Sequence, residues 1–98
     1  MIPARKAIQL KSDYSEAYFN LGNILRDLGQ LKEAEQSYRK AIEMNPKYFE
    51  AFSNLGGVLI DLYKLKEAEY VLRKATSLKP NFAEAYLNLG CTLRNLGK

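Results

Sequence analysis

The sequence predicts an all-α chain built of stacked helical hairpins, and three observations carry that expectation. Ser15, Phe49 and Ala83 head copies of one unit at a 34-residue period, and about half of the aligned positions are identical between the first two copies. Inside each copy the apolar residues recur at helical spacing, as Ala17, Tyr18, Leu21, Leu25 and Leu28 do. Small and helix-breaking residues return at fixed places: Gly22, Gly56 and Gly90, Ala34 and Ala68, Ala41 and Ala75, Pro46 and Pro80. Small residues on successive helices let backbones approach closely, and proline forbids continuation of a helix. The organisation expected is one array: residues 1–14 a half repeat with its second helix only, 15–48 and 49–82 two full repeats, and 83–98 a half repeat with its first helix only.

Taken in order, Met1 to Lys11 matches the back half of a unit, with Ala7-Ile8 answering to Ala41-Ile42 and Pro3 suited to a first helical turn, so a short helix is expected. Ser12-Asp13-Tyr14 is expected to break it, Asp13 and Glu16 forming a carboxylate variant of the capping box for the next helix. That helix runs over about Ser15 to Leu28 and stops at Gly29, which supplies a positive φ. Leu31 to Met44 places Leu31, Ala34, Tyr38, Ala41 and Ile42 on one face and ends at Asn45-Pro46. The short link between the two helices makes them antiparallel neighbours.

The second unit repeats the plan as Phe49 to Leu62 and Leu65 to Leu78. Lys47 cannot cap its first helix, whereas Asn81 and Glu84 offer a capping box to the last one. Gly56-Gly57 is expected to mark the least rigid helical turn, since each glycine costs about 1 kcal/mol relative to alanine. Tyr63 stands where Gly29 and Gly97 stand in the other units, which requires either a left-handed tyrosine or a different turn. Asn81 to Lys98 forms the last helix, whose Leu89, Leu93 and Leu96 are expected to lack the partner that Leu25 and Leu28 have.

Composition narrows the function. With 47% hydrophobic and 27% charged residues over 98 positions, the chain has the make-up of a folded soluble protein. No apolar run approaches the roughly 20 residues that span a bilayer, and no signal-peptide-like segment opens the chain, so a cytoplasmic location is expected. The single Cys91 excludes an internal disulfide framework. Without histidine, Ser-His-Asp, Cys-His and His-ligated metal sites cannot be assembled, and no phosphate loop is present. Pairs such as Glu33 with Glu35 and Glu67 with Glu69 sit at helix starts, where negative charge complements the helix dipole. No enzyme, cofactor or metal is therefore expected.

The net charge of +4 recurs largely as Arg5-Lys6, Arg39-Lys40 and Arg73-Lys74, at one phase of the second helices. A solvated exterior explains these pairs better than a phosphate-tracking stripe, and nucleic acid is not expected as a partner. On the first helices, Glu16, Asn20, Asn23 and Asp27 project away from the Leu/Tyr stripe, followed by Glu50, Asn54, Gly57 and Asp61 and by Glu84, Asn88, Cys91 and Asn95.

At Leu21-Gly22, Ala34, Ala41 and Pro46, their counterparts one period on, and the aromatics Tyr18, Phe52 and Tyr86, the chain resembles a tetratricopeptide repeat protein. It departs from that family at Ser12, where the inter-repeat proline is usual, and at Tyr63. The resemblance implies a right-handed superhelix whose concave groove is lined by the first helices, and a non-catalytic scaffold that holds an extended peptide there. Asn20, Asn54 and Asn88 then form a row similar to the asparagine ladder of the O-GlcNAc transferase repeat domain, with Asn23 beside it and Asp27 and Asp61 as an acidic row. A side-chain amide donates to a peptide carbonyl and accepts from its N–H, so such a row suits a backbone of any sequence. The same asparagines read equally as repeat-packing groups retained by duplication. Phe19 and Leu87 offer apolar contact where Ser53 does not, and Arg26 and Arg94 offer positive charge to a ligand carboxylate. The family's clamp for acidic chaperone tails uses Lys where Phe19, Leu87 and Glu84 stand here, so such tails are not expected to bind. Two rival functions remain: head-to-tail self-assembly through the half-repeat ends, and RNA binding by a basic helical repeat, against which the acidic groove residues argue.

Overall fold

The computed structural model describes the backbone of residues 4–97 and the side chains of residues 13–97, and it contains helices and turns only. The helices are α1 (Ala4–Asp27), α2 (Leu31–Met44), α3 (Phe49–Asp61), α4 (Leu65–Leu78) and α5 (Ala83–Asn95). The pairs α1/α2 and α3/α4 are hairpins, α2 packs on α3 and α4 on α5, and the first helices α1, α3 and α5 form a row. This is an all-α repeat solenoid. The core lies where consecutive hairpins meet: Ala34 and Tyr38 of α2, Phe52, Leu55, Val58 and Leu59 of α3, Ala68, Val71, Leu72 and Ala75 of α4, and Ala85 and Leu89 of α5.

Turn chemistry accounts for the hairpins. Gly29 has φ 78°, its N–H donates to the Arg26 carbonyl and that of Gln30 to the Leu25 carbonyl, the bond pattern of a Schellman stop. Tyr63 takes the same left-handed conformation at φ 60°, with Tyr63 N–H to the Ile60 carbonyl and Lys64 N–H to the Leu59 carbonyl. A non-glycine residue there costs about 1–2 kcal/mol, and the tyrosine ring, 84% exposed, recovers little of it by packing. Between repeats, Asn45 is extended and its Oδ1 accepts the Lys47 N–H, turning the chain at Pro46.

Small residues let the helices of each hairpin close. A Cβ on Gly22 would lie 2.6 Å from the Tyr38 ring, and one on Gly56 would lie 2.4 Å from Leu72. Tyr38 and Leu72 are fully buried and cannot swing away. Gly57 is also buried, so the Gly56-Gly57 pair, expected from helix propensity to loosen a turn, instead marks a place where neighbours come closest.

Three expectations are corrected. No break occurs at Ser12-Asp13-Tyr14: α1 is one 24-residue helix, so the half repeat's separate helix and the Asp13/Glu16 capping box do not form. Ser12 occupies the position of Pro46 and Pro80, and a serine leaves the i to i−4 hydrogen bonding intact. The correspondence of Ala7-Ile8 with Ala41-Ile42 falls on side chains outside the described residues, as do Pro3 and Lys98. Asn81 does not cap α5; Phe82 is the N-cap, without a side-chain bond, just as Tyr48 is for α3. The unpartnered apolar residues lie mainly at the other end: Leu89 is 8% exposed, while Leu21 and Leu28 are 42% and 66% exposed. The hairpin α3/α4 covers α5, and among the described residues no hairpin covers the corresponding side of α1.

Ion pairs link the second helices. Arg39 bonds Glu35 at 3.0 Å and Glu67 at 2.7 Å, and Lys64 bonds Glu35 at 3.0 Å. Burial pushes the Glu35 carboxyl up, but donation from Lys64 and Arg39 more than offsets it and holds the group below its ordinary 4.5. A depressed folded pKa confers stability above the unfolded value that is lost as pH falls through the folded one. Glu35→Gln is therefore expected to be less stable than the parent by about 1 kcal/mol at pH 7, with the difference shrinking below about pH 4 in urea titrations. A pH-independent difference would contradict this.

The glycines give an opposed pair of expectations. Gly56→Ala should lower stability by about 1–3 kcal/mol through overpacking. Gly90→Ala, with nothing within 4 Å of the added Cβ, should raise it by about 0.5–1 kcal/mol. Equal signs in the two urea midpoints would contradict the packing account.

Candidate ligand-binding face

The row of first helices presents the asparagines expected to form a ladder. Asn20 is exposed and Asn54 and Asn88 are half-buried, and neither Asn20 nor Asn88 makes a side-chain hydrogen bond among the described residues. Asn23 has a different place. Its Oδ1 accepts from the Tyr38 hydroxyl and from Asn54 Nδ2, the latter at 2.9 Å. Tyr38 is fully buried, so its hydroxyl needs this acceptor, and burial pushes the phenol above its ordinary value. Asn23 is thus engaged in packing, and Asn54 is drawn from the row toward α1.

The repeat explains why this bridge occurs once among the described residues. One period on, Leu72 replaces Tyr38 and Gly57 replaces Asn23. Where the ring carries a hydroxyl, an amide receives it; where the side chain is a hydrocarbon, the amide is gone. The space beside Gly57 is taken by Arg26, whose Nη2 would lie 2.7 Å from an added Cβ and which stands 4.0 Å from Asp61. The paired change was visible in the sequence, as two differences between copies at positions a helical hairpin brings together.

The other expected residues divide. Phe19 is half-buried, its ring 4.9 Å from Tyr48 and 5.9 Å from Tyr38, so it packs between repeats. Ser53 is fully buried and its hydroxyl has no partner among the described residues. Leu87 is 74% exposed, and Asp27, Asp61 and Arg94 are exposed. Arg94 Nη2 lies 3.9 Å from the Cys91 sulfur. Burial, with the carboxylates of Glu50 and Glu16 behind it, pushes the Tyr48 phenol up. The face is therefore acidic along Glu16, Asp27, Glu50, Asp61 and Glu84, with Arg26 turned toward Asp61 and Arg94 facing solvent.

A second concavity was not anticipated. Between α2 and α4, a cavity of about 620 Å³ is lined by the apolar Ile42, Phe52, Leu55 and Val71, by the exposed Tyr70, and by Arg39, Glu43, Lys66, Glu67 and Lys74. Tyr70 stands where the first repeat has Gln36, the only sequence sign of this apolar feature. The basic pairs nearby are engaged as a solvated exterior would have them: Arg39 with Glu35 and Glu67, Arg73 with Glu69, and Lys40 with Glu43. Among the described residues no cluster suited to a metal occurs, and no helix is long and apolar enough to cross a membrane.

Comparison with known proteins places this architecture. A family model described as tetratricopeptide repeat matches residues 15–48. A second model of the same description matches residues 37–70 and 71–98. The fold superposes on the second such repeat domain of Spaghetti (RPAP3), solved with the HSP90 peptide SRMEEVD, with TM-score 0.90 and 22% identity over 94% of this chain and 84% of that one. The corresponding domain of Arabidopsis OM64 gives a TM-score of 0.86 at 24% identity, covering 88% of this chain and 71% of that one. MamA gives 0.83 at 28% identity, with 89% of this chain and 50% of that chain covered. No curated protein sequence matches the chain.

Removing the acceptor of a buried hydroxyl should be costly. Asn23→Ala is expected to lower stability by about 1–3 kcal/mol, and less in a Tyr38→Phe background, where no hydroxyl is left unpaired. Asn20→Ala should stay within about 0.5 kcal/mol of the parent. Equal losses at Asn20 and Asn23 in urea titrations would contradict the assignment.

Proposed function

Because this chain belongs to the tetratricopeptide repeat family, a family of protein–protein interaction modules, we propose that it is a non-catalytic scaffold holding an extended segment of a partner protein along α1, α3 and α5. The observation that carries the reading is the series Asn20, Asn54 and Asn88, one amide per repeat on adjacent helices, with Asn20 and Asn88 making no side-chain bond among the described residues. Amides spaced this way suit the alternating donors and acceptors of an extended backbone. The peptide held by the Spaghetti domain supports a ligand of this kind.

The face argues against the same ligand. Its exposed carboxylates repel an acidic tail, Leu87 and Glu84 stand where a carboxylate clamp would place lysine, and Phe19 packs inward. A segment with apolar and basic side chains suits Leu87 and the Asp27/Asp61 row better, leaving Arg94 for a lone carboxylate.

Selection from a displayed library of linear peptides supplies probes. Enriched sequences should be apolar or basic, the peptide SRMEEVD should not bind, and Asn20→Ala and Asn88→Ala should each weaken binding about fivefold. The reading fails if the selected peptides ignore both substitutions and are lost instead on Tyr70→Ala or Lys74→Glu in the α2/α4 cavity.

A further inference from the structure

The cavity between α2 and α4 joins an apolar lining to an unbalanced cation. Of the charged groups around it, Arg39 is neutralised by Glu35 and Glu67, and Glu43 is held by Lys40 at 4.0 Å. Lys74 also lines the cavity and makes no ion pair among the described residues.

Comparison of the two repeats shows how this came about. One period earlier the equivalent lysine, Lys40, has Glu43 three residues on, whereas Ser77 takes that place beside Lys74. The other residues three or four positions from Lys74 are Tyr70, Val71 and Leu78, none of them an acid, so α4 itself supplies no counter-charge. One turn before Lys74, Tyr70 replaces Gln36 and brings a ring that is 72% exposed to the edge of the cavity. Positions 70, 74 and 77 share one face of the helix. Tyr70 and Ser77 are both exposed, so the packing of the hairpins accounts for neither change. Together they convert a polar, charge-paired stripe into an aromatic one with a free ammonium group.

Size and charge select the ligand. A volume of about 620 Å³ lies within the range of sites for small molecules, about 300–1,000 Å³. Lys66 and Lys74, both in the lining, stand eight residues apart on α4, roughly 12 Å at 1.5 Å per residue, the reach of an extended alkyl chain of about ten carbons. One unbalanced cation matches one carboxylate, while an acidic segment of a protein would carry further charges toward Glu43 and Glu67. We propose that this cavity binds a medium-chain aliphatic carboxylate, its chain along Ile42, Phe52, Leu55 and Val71 beside Tyr70 and its carboxylate on the Lys74 ammonium. The site is separate from the row of first-helix asparagines and does not rest on their role.

Isothermal titration of decanoate, below its micelle-forming concentration, into the full chain tests the assignment. Saturable one-to-one binding is expected, with amide NMR shifts concentrated at Ile42, Leu55 and Tyr70 to Lys74, and decylamine, the same chain with the opposite charge, should bind at least tenfold more weakly. Lys74→Glu should weaken decanoate about tenfold or more and Lys74→Arg should retain it. Tyr70→Gln and Ser77→Glu each restore the residue of the first repeat at an exposed position, and they should weaken binding about fivefold and about threefold, with circular dichroism unchanged. Absence of saturable binding overturns the proposal, as does equal binding of decylamine or indifference to both Tyr70→Gln and Ser77→Glu. Peptides that are lost on Tyr70→Gln but that decanoate does not displace would give the cavity to a partner protein instead, and overturn it too.

Discussion

A helical hairpin of this kind cannot bury its own apolar surface, and that constraint organises the molecule. Each first helix has one side against its own partner helix and another that only the preceding hairpin can cover. In α3 and α5 that second side is buried, through Leu55 and Val58 and through Leu89 and Thr92. In α1 the equivalent Leu21 and Ile24 remain in solvent. Burial is accordingly densest in α3, which packs against the elements on both sides of it in the chain.

Close approach is the other half of the same constraint. Tyr38 over Gly22 and Leu72 over Gly56 solve one packing problem with different chemistry. The tyrosine solution carries a hydroxyl, and Asn23 and Asn54 are recruited to satisfy it. Part of the polar lining of the first-helix row is thus a by-product of core packing, while Asn20 and Asn88 carry no such duty. This separates residues that hold the fold from residues disposed to meet a partner, although all lie on one face and look alike as a pattern.

Much of this was legible in the residues. The bounds of α2 and α4 follow directly from Gly29, Pro46 and Pro80 and from the spacing of Ala34, Ala41, Ala68 and Ala75, because breakers and helix–helix contacts act locally. Ser12 misled, since the repeat pattern implies a break that only a proline would enforce, and local hydrogen bonding prevailed over periodicity. The burial of Phe19 and Ser53 and the cavity between α2 and α4 depend on the angle between hairpins, which no single helix encodes. The role of Asn23 lay in between: the joint change to Gly57 and Leu72 was written in the sequence, but its meaning required the pair to be seen in contact.

Amide hydrogen exchange of the free chain, resolved residue by residue, probes the central constraint most directly. If cover by neighbouring hairpins governs stability, the amides around Leu55 to Leu59 in α3 and Val71 to Leu72 in α4 exchange slowest, through global unfolding, while those around Leu21 to Leu25 in α1 open at lower free energy. Protection in the α1/α2 hairpin equal to or above that of α3/α4 would contradict the account.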